Sequence, residues 1–351
     1  ADARAEIPTP PAETDGKDPC VIMFTGGTTG RSKGALLSNE AVMQGVVNGC
    51  YGYRHVFYQR YLLVLPLSHV FGLIRSLLTA LYTGSTLFIC RNTKDMFRDI
   101  AAFRPTILVL VPALADMALT LSKKFGRNML GPDLKVIICG AAAVAPYLVT
   151  EYDKFGVLLL PGYGLTESAN LVSGNPESLK KPDSVGLPFP NQALRIENGE
   201  LWLRGKNMMD GYVGEDEDAW EDGWFKTGDL VRTDGDGFLY ITGRIKEIIV
   251  LPSGENVSPQ ELEAKFYALS CVQDCQVFED YGELGGRILA LEVVPRASEM
   301  TGADAEKRVL EALEEVNRAL PSYQQVSRIT LRDSDFARTP SMKIARYKKC
   351  Q

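Results

Sequence analysis

Residues 21–34 read VIMFTGGTTGRSKG, four apolar residues running into a stretch of glycine, threonine and one lysine. The same pattern recurs three times. YLLVL (61–65) runs into PLSHVFG, KVIIC (135–139) into GAAA, and VLLL (157–160) into PGYGLTES. Two further apolar runs, STLFIC (85–90) and TILVLV (106–111), lie between them. Runs this short and this continuously apolar predict strands buried on both faces, VIMF included, in a mainly parallel sheet. Helical patterns fill the gaps, as α/β folds require. SNEAVMQGVVNG (38–49) has Ser38 as its N-cap, and TKDMFRDIAAF (93–103) follows the same period. Open sheets of this class bind ligands beyond the carboxyl ends of their strands, where the four polar segments fall.

Outward from that region the pattern changes twice. Residues 184–244 alternate in short strands with glycine turns, and ALRIENGELWLRG predicts a hairpin at Asn198-Gly199. After GRIKEIIV a smaller α+β unit begins. Its first helix, SPQELEAKFYAL, has Ser258 as N-cap, Pro259 at the first position and Glu261 closing a capping box. The strand RILALEVV and a helix over about 303–320 follow. The expectation is a large mixed α/β domain with a β-rich subdomain over residues 1–246, and a small α+β domain over 247–351.

The chain has 351 residues and a net charge of −6, from 38 Lys plus Arg against 44 Asp plus Glu. With no basic cluster, a nucleic-acid partner is not expected, because such binding rests on neutralised phosphates. Seven scattered cysteines do not form a disulfide framework and suit a reducing cytoplasm. Two histidines, His55 and His69, leave Cys271 and Cys275 without a second ligand pair for zinc. The opening residues have no apolar signal core, and the greasiest stretch, 61–90, is interrupted by Pro66, His69 and Arg75. No transmembrane span is expected, although peripheral membrane contact is compatible with this pattern.

Residues 25–34 combine three glycines ahead of a lysine with three threonine hydroxyls, donors suited to a polyphosphate. The segment is not a Walker loop, since Ser32 precedes Lys33 and Gly34 follows it. Taken alone it favours phosphate binding, with a flexible surface turn as the other reading.

Five segments in order resemble the signature set of the acyl-adenylating superfamily: TGGTTGRSKG, YGLTE (163–167), GWFKTGDL (223–230), GRIKE (243–247) and TPSMKIAR (339–346). That superfamily holds AMP-forming acyl-CoA synthetases, peptide-synthetase adenylation domains and firefly-type luciferases. SVGLPFP, GELWLRG, MMDGY and GENVSPQELE are similar to family sequence as well. The resemblance implies ATP, Mg²⁺ and coenzyme A as ligands and a small carboxylate as substrate. It implies that Thr25, Gly26, Gly27, Thr28, Thr29, Gly30 and Lys33 hold the β- and γ-phosphates. Gly140, Ala141 and Ala142 would line the adenine pocket, with Tyr163 stacking nearby beside Gly164. Thr166 would contact the α-phosphate and Glu167 would hold the metal. Asp229 would accept the ribose hydroxyls with help from Arg244, and Lys343 would bridge carboxylate and α-phosphate. His69 and Gly254 would face the acyl and coenzyme A channel, and Lys246 would be the hinge of a mobile lid.

The likeness has departures. Ser32 stands where proline is usual, Gly26 where serine is frequent, and Met342 where many members have glycine. Thr339, with no glycine beside the lysine, resembles the fatty-acyl branch. Family members carry well over a hundred residues before the phosphate loop, so a fragment of a larger enzyme is expected. No Asp or Glu occurs from Ala41 to Lys94, which disfavours an amino-acid substrate, whose amine needs an acid. The implied reaction is an AMP-forming carboxylate-CoA ligation on a fatty or other amine-free acid. Loading of a carrier protein, a luciferase-like oxygenation and a non-catalytic nucleotide-binding fragment remain as alternatives.

Overall fold

The computed structural model describes residues 13–26, 32–50, 56–214, 219–252, 254–282, 285–338, 344 and 346. Five parallel strands make the frame of a seven-stranded sheet, in the order Thr86–Ile89, Arg60–Leu63, Ile107–Leu110, Val136–Cys139 and Leu158–Tyr163. Two short antiparallel strands, Ser173–Gly174 and Leu187–Pro188, extend its far edge. Ile107–Leu110 and Val136–Cys139 are buried at every residue, which is why they alternate with nothing polar. The helices Pro112–Phe125 and Pro146–Asp153 each open on proline, where a missing N–H has no partner to lose. The Tyr152 hydroxyl donates to the Ala115 carbonyl at 2.6 Å and ties the two helices together.

A π-helix, Phe71–Leu78, also packs against this sheet. Its widened turns let side chains reach five residues back, so Ser76 donates to the Phe71 carbonyl at 3.2 Å and Thr79 to that of Ile74 at 2.8 Å.

VIMF does not belong to the parallel sheet. Pro19–Gly26 pairs antiparallel with Ser32–Ser38, and Gly211–Tyr212 adds a third strand. Met23 is buried while Ile22 and Phe24 on either side are 49% and 66% exposed, so only one face of this strand packs. An apolar run gives no sign of which of its faces is covered, and here the second face is open. The glycine-threonine segment therefore joins two antiparallel strands rather than a strand and a helix.

The expected hairpin forms between Gln192–Glu197 and Glu200–Gly205. Asn198 and Gly199 take φ of 49° and 84°, the left-handed pair that a two-residue turn of this twist needs. Trp224–Thr233 and Leu239–Arg244 continue that sheet. Beyond it lies the helix Pro259–Tyr267, capped by the Ser258 hydroxyl, which accepts from the Glu261 amide at 3.3 Å. Val272–Tyr281 and Arg287–Pro295 form an antiparallel pair, joined in parallel by Arg328–Leu331 after the helix Ala305–Ala319. Val257, Leu262, Phe266, Leu291 and Leu313 are buried in a core of their own here. At about 1.5–3 kcal/mol for each large apolar side chain, that core can sustain a folding unit.

Candidate nucleotide site

The polar segments after the parallel strands gather at one end of the sheet. Gly140 opens one of them, and a Cβ there would lie 3.0 Å from the Gly162 carbonyl oxygen and 3.5 Å from the Phe71 ring. Ala141 then takes φ of 66°, a strained choice for alanine of roughly 1 kcal/mol, and Ala142 is exposed. The neighbouring segment doubles back through the short turn Thr166–Ser168. A Cβ on Gly164 would lie 1.5 Å from the Asn170 carbonyl oxygen, so glycine alone permits the reversal that presents Thr166 and Glu167.

Tyr163, Asp229 and Arg244 meet. Asp229 is only 1% exposed. Its Oδ2 accepts from the Tyr163 hydroxyl at 2.6 Å, and its Oδ1 pairs with Arg244 Nε at 2.6 Å. Cross-strand pairing of Asp229 with Arg244 sets the register of that ion pair. Burial first, and then the Asp229 charge, push the Tyr163 phenol well above its ordinary range, so it is a neutral donor at every ordinary pH.

A second chain of contacts links the glycine hairpin to Glu167. Thr25 faces Lys33 across the hairpin, and the Lys33 ammonium lies 5.0 Å from the centre of the Tyr212 ring. The Tyr212 hydroxyl donates to Glu167 Oε1 at 2.6 Å. Sequence alone does not single out Tyr212, although MMDGY lies in a segment whose register the sheet fixes against Ala35. Gly27, Thr28, Thr29, Gly30 and Lys343 lie outside the described residues.

The remaining residues stand apart. His69 Nδ1 accepts from the Phe71 amide at 3.2 Å, at the start of the π-helix. Lys246 is exposed in the turn Ile245–Glu247. Next to it the Ser258 hydroxyl donates to the Thr242 carbonyl at 2.6 Å, fastening the following helix to the strand before the turn. Gly254 lies between the short paired strands Ile249–Val250 and Asn256–Val257. Three residues past Lys343, Arg346 pairs with Glu263 at 2.6 Å and Glu247 at 3.3 Å.

One contact between the two units is not foreshadowed by any motif. Arg296, just past the strand Arg287–Pro295, reaches both carboxylate oxygens of Asp116 at 3.0 and 3.1 Å and also bonds the Tyr147 hydroxyl. Its guanidinium stands 4.7 Å from the centre of the Tyr147 ring, and Tyr147 in turn donates to Asp116.

Residues 1–213 match the family described as AMP-binding enzyme, and residues 246–351 match the AMP-binding enzyme C-terminal domain. A long-chain-fatty-acid-CoA ligase of Mycobacterium bovis is 27% identical over 416 residues, covering 97% of this chain and 69% of its own. An indoleacetate-CoA ligase of Aromatoleum aromaticum is 32% identical over 295 residues, covering 79% of this chain and 57% of its own. The structure of o-succinylbenzoate CoA synthetase from Bacillus subtilis, in complex with its acyl-adenylate intermediate, has the same fold. It superposes with a TM-score of 0.77 at 24% identity, over 94% of this chain and 68% of that one. The chain spans 57 to 69% of the length of the curated relatives it matches. Among the described residues, no helix is long and apolar enough to cross a membrane.

Proposed function

Because this chain belongs to the AMP-binding enzyme family, we propose that it supplies the nucleotide site and lid of an AMP-forming carboxylate-CoA ligase. The observation that carries the proposal is the meeting of Tyr163, Asp229 and Arg244, with Tyr163 four residues before Glu167, which is itself tied through Tyr212 to Lys33. These groups divide the tasks that adenylation sets: a cation for phosphate, a carboxylate for ribose and a carboxylate for metal.

In the proposed reaction a carboxylate oxygen attacks the α-phosphorus of ATP, and pyrophosphate leaves with the electron pair of the broken P–O bond. Coenzyme A, having given up its thiol proton to water, then attacks the acyl carbon through sulfur, and AMP departs with the electron pair of the broken acyl–oxygen bond. Lys33 would neutralise phosphate charge and Thr166 would donate to the α-phosphate. Asp229 would accept the ribose hydroxyls, for which Tyr163 or Arg244 must yield some of its hold. Lys343 would bridge the substrate carboxylate and the phosphorus centre, lowering the barrier by positioning and charge. Glu167 suits Mg²⁺, because Tyr212 fixes its orientation through Oε1, while Oε2 carries no bond among the described residues. Magnesium, when bound, supplies charge neutralisation on the phosphate oxygens.

The absence of acids from Ala41 to Lys94 supports an amine-free substrate, and coenzyme A rather than a carrier protein is the acceptor we favour. The lid would turn about Lys246, bringing the face with Gly254 toward the site for the second step. We place the reaction in the cytoplasm.

Carboxylate-dependent exchange of pyrophosphate into ATP tests the reading, with acetate, aromatic acids and fatty acids as substrates. Lys343→Ala is expected to abolish exchange while leaving AMP binding intact. Exchange that survives the substitution would remove Lys343 from the reaction, and absence of exchange with every acid would leave nucleotide binding alone.

A further inference from the structure

Glu263 and Asp274 are buried acids of the C-terminal unit, at 5% and 8% exposure. Glu263 lies on the helix Pro259–Tyr267 with the buried Leu262 and Phe266. Its Oε1 accepts from the Val277 amide at 2.8 Å and from Arg346 Nη1 at 2.9 Å, and its Oε2 accepts from Arg346 Nη2 at 2.6 Å. Asp274 repeats the arrangement, pairing with Arg338 and accepting from the Tyr267 hydroxyl at 3.2 Å. Burial raises both carboxyls, and the paired arginine opposes that rise in each.

The two arginines lie on either side of one short stretch of sequence. Arg338 and Ile344 pair antiparallel, and Lys343 is the residue directly before Ile344. Arg346 follows two residues after Ile344, and its Nε also lies 3.3 Å from Glu247 Oε2 in the turn Ile245–Glu247. Stability is a weak reason for such pairs, because a buried ion pair recovers little more than the desolvation of its two charges. What it adds is geometry. A guanidinium fork meets a carboxylate in one plane and one register, so each arginine fixes the backbone that carries it.

We infer that Glu263 and Asp274 are positioning residues for Lys343: through Arg346 and Arg338 they fix the chain on both sides of it. The inference rests on the adenylation reading above, in which Lys343 bridges the substrate carboxylate and the phosphorus centre. Neither acid touches the substrate, and each acts through its arginine. An ammonium that must meet a phosphorus centre loses rate when its backbone is loosened, even though its charge is kept.

The two steps of the reaction, measured separately on the intact protein, test this. Glu263→Gln keeps an acceptor for the Val277 amide and Asp274→Asn one for the Tyr267 hydroxyl. The freed Arg346 and Arg338, 30% and 21% exposed, can turn to water. Each substitution is expected to lower kcat for carboxylate-dependent pyrophosphate exchange about 10- to 100-fold, with KM for ATP within about twofold. Thioester formation from coenzyme A and the supplied acyl-AMP of the best exchanged acid should stay within about twofold, since Lys343 serves the first step. Glu292→Gln is the control. It removes another buried acid of the same unit, the partner of Arg332 at 2.6 Å, and should leave both steps near the parental rate. Equal losses in both steps, an equal loss in Glu292→Gln, or no loss at all would reduce the two acids to ordinary structural pairs and overturn the inference, with adenylation left standing. Should an acid variant fail to fold, Arg346→Lys and Arg338→Lys decide, because each keeps the charge and loses the fork. Loss of exchange alone then supports the inference, and any other result overturns it. If the parent exchanges pyrophosphate with no acid, the adenylation reading falls and this inference falls with it.

Discussion

Two clusters in this molecule are built from the same three residue types and differ in what they join. Tyr163, Asp229 and Arg244 sit within the larger unit, with Asp229 almost wholly buried. Tyr147, Asp116 and Arg296 bridge the larger unit and the C-terminal one, with the arginine and aspartate side chains each 16% exposed. In the first, strand register holds Asp229 opposite Arg244, so the pair is fixed by backbone. In the second, only side chains span the gap between the larger unit and the C-terminal one. One chemistry thus rests on strand register in the first cluster and on side chains alone in the second.

Removing the central acid from each cluster should break the symmetry most sharply. Asp229→Ala is expected to weaken AMP binding by about 1.5–3 kcal/mol, or roughly 10- to 150-fold, by deleting a charge-assisted acceptor. Asp116→Ala should leave AMP affinity within about twofold, because a clasp outside the site makes no direct contact with the ligand. Calorimetric titration of both variants with AMP settles the point, and equal losses would collapse the distinction.

A smaller effect is expected from the clasp itself. Arg296→Met should lower the stability of the lid's docking by about 1–2 kcal/mol, the net worth of hydrogen bonds to a partly screened charge. Calorimetric scanning should then resolve a separate lid transition, and protease cleavage near Lys246 should quicken. A single unaltered transition would show that the Ser258–Thr242 contact and the backbone hold the lid without help from Arg296.

The smallest effect concerns alkaline pH. Burial, then the adjacent Asp116, push the Tyr147 phenol above its ordinary range, as burial and Asp229 do for Tyr163. For such a group the unfolded chain loses its proton first, near pH 10, so the native state then holds more protons than the unfolded one. The stabilisation is whole below about pH 10 and declines as pH climbs toward the folded values. Tyr147→Phe and Tyr163→Phe should each flatten that decline in urea unfolding between pH 8 and 11. If only the Tyr163 variant does so, the clasp is already open at high pH.

The Asp229 cluster is legible in the sequence because each of its residues lies in a short motif: YGLTE, TGD and GRIKE. Motifs persist where backbone and side chain must act together, as Gly164 shows by its 1.5 Å clearance problem with Asn170. The clasp is not legible there, since Arg296 lies 180 residues from Asp116 and none of the three has a patterned neighbour. Arg75 is an intermediate case. Its charge is visible as an interruption of an apolar stretch, but its burial is not.

Sequence by itself determined the local order of this protein. Apolar runs, Ser38 and Ser258 as caps, and Asn198-Gly199 as a turn follow from periodicity and from conformations few residues can adopt. Tertiary structure alone decided which faces those elements share. VIMF is equally apolar whether one face is covered or two, and only its pairing with Ser32–Ser38 moved it out of the parallel sheet. The same holds for Arg296 against Asp116 and for the burial of Arg75. Such contacts are sums over distant neighbours, and no local pattern of residues encodes them.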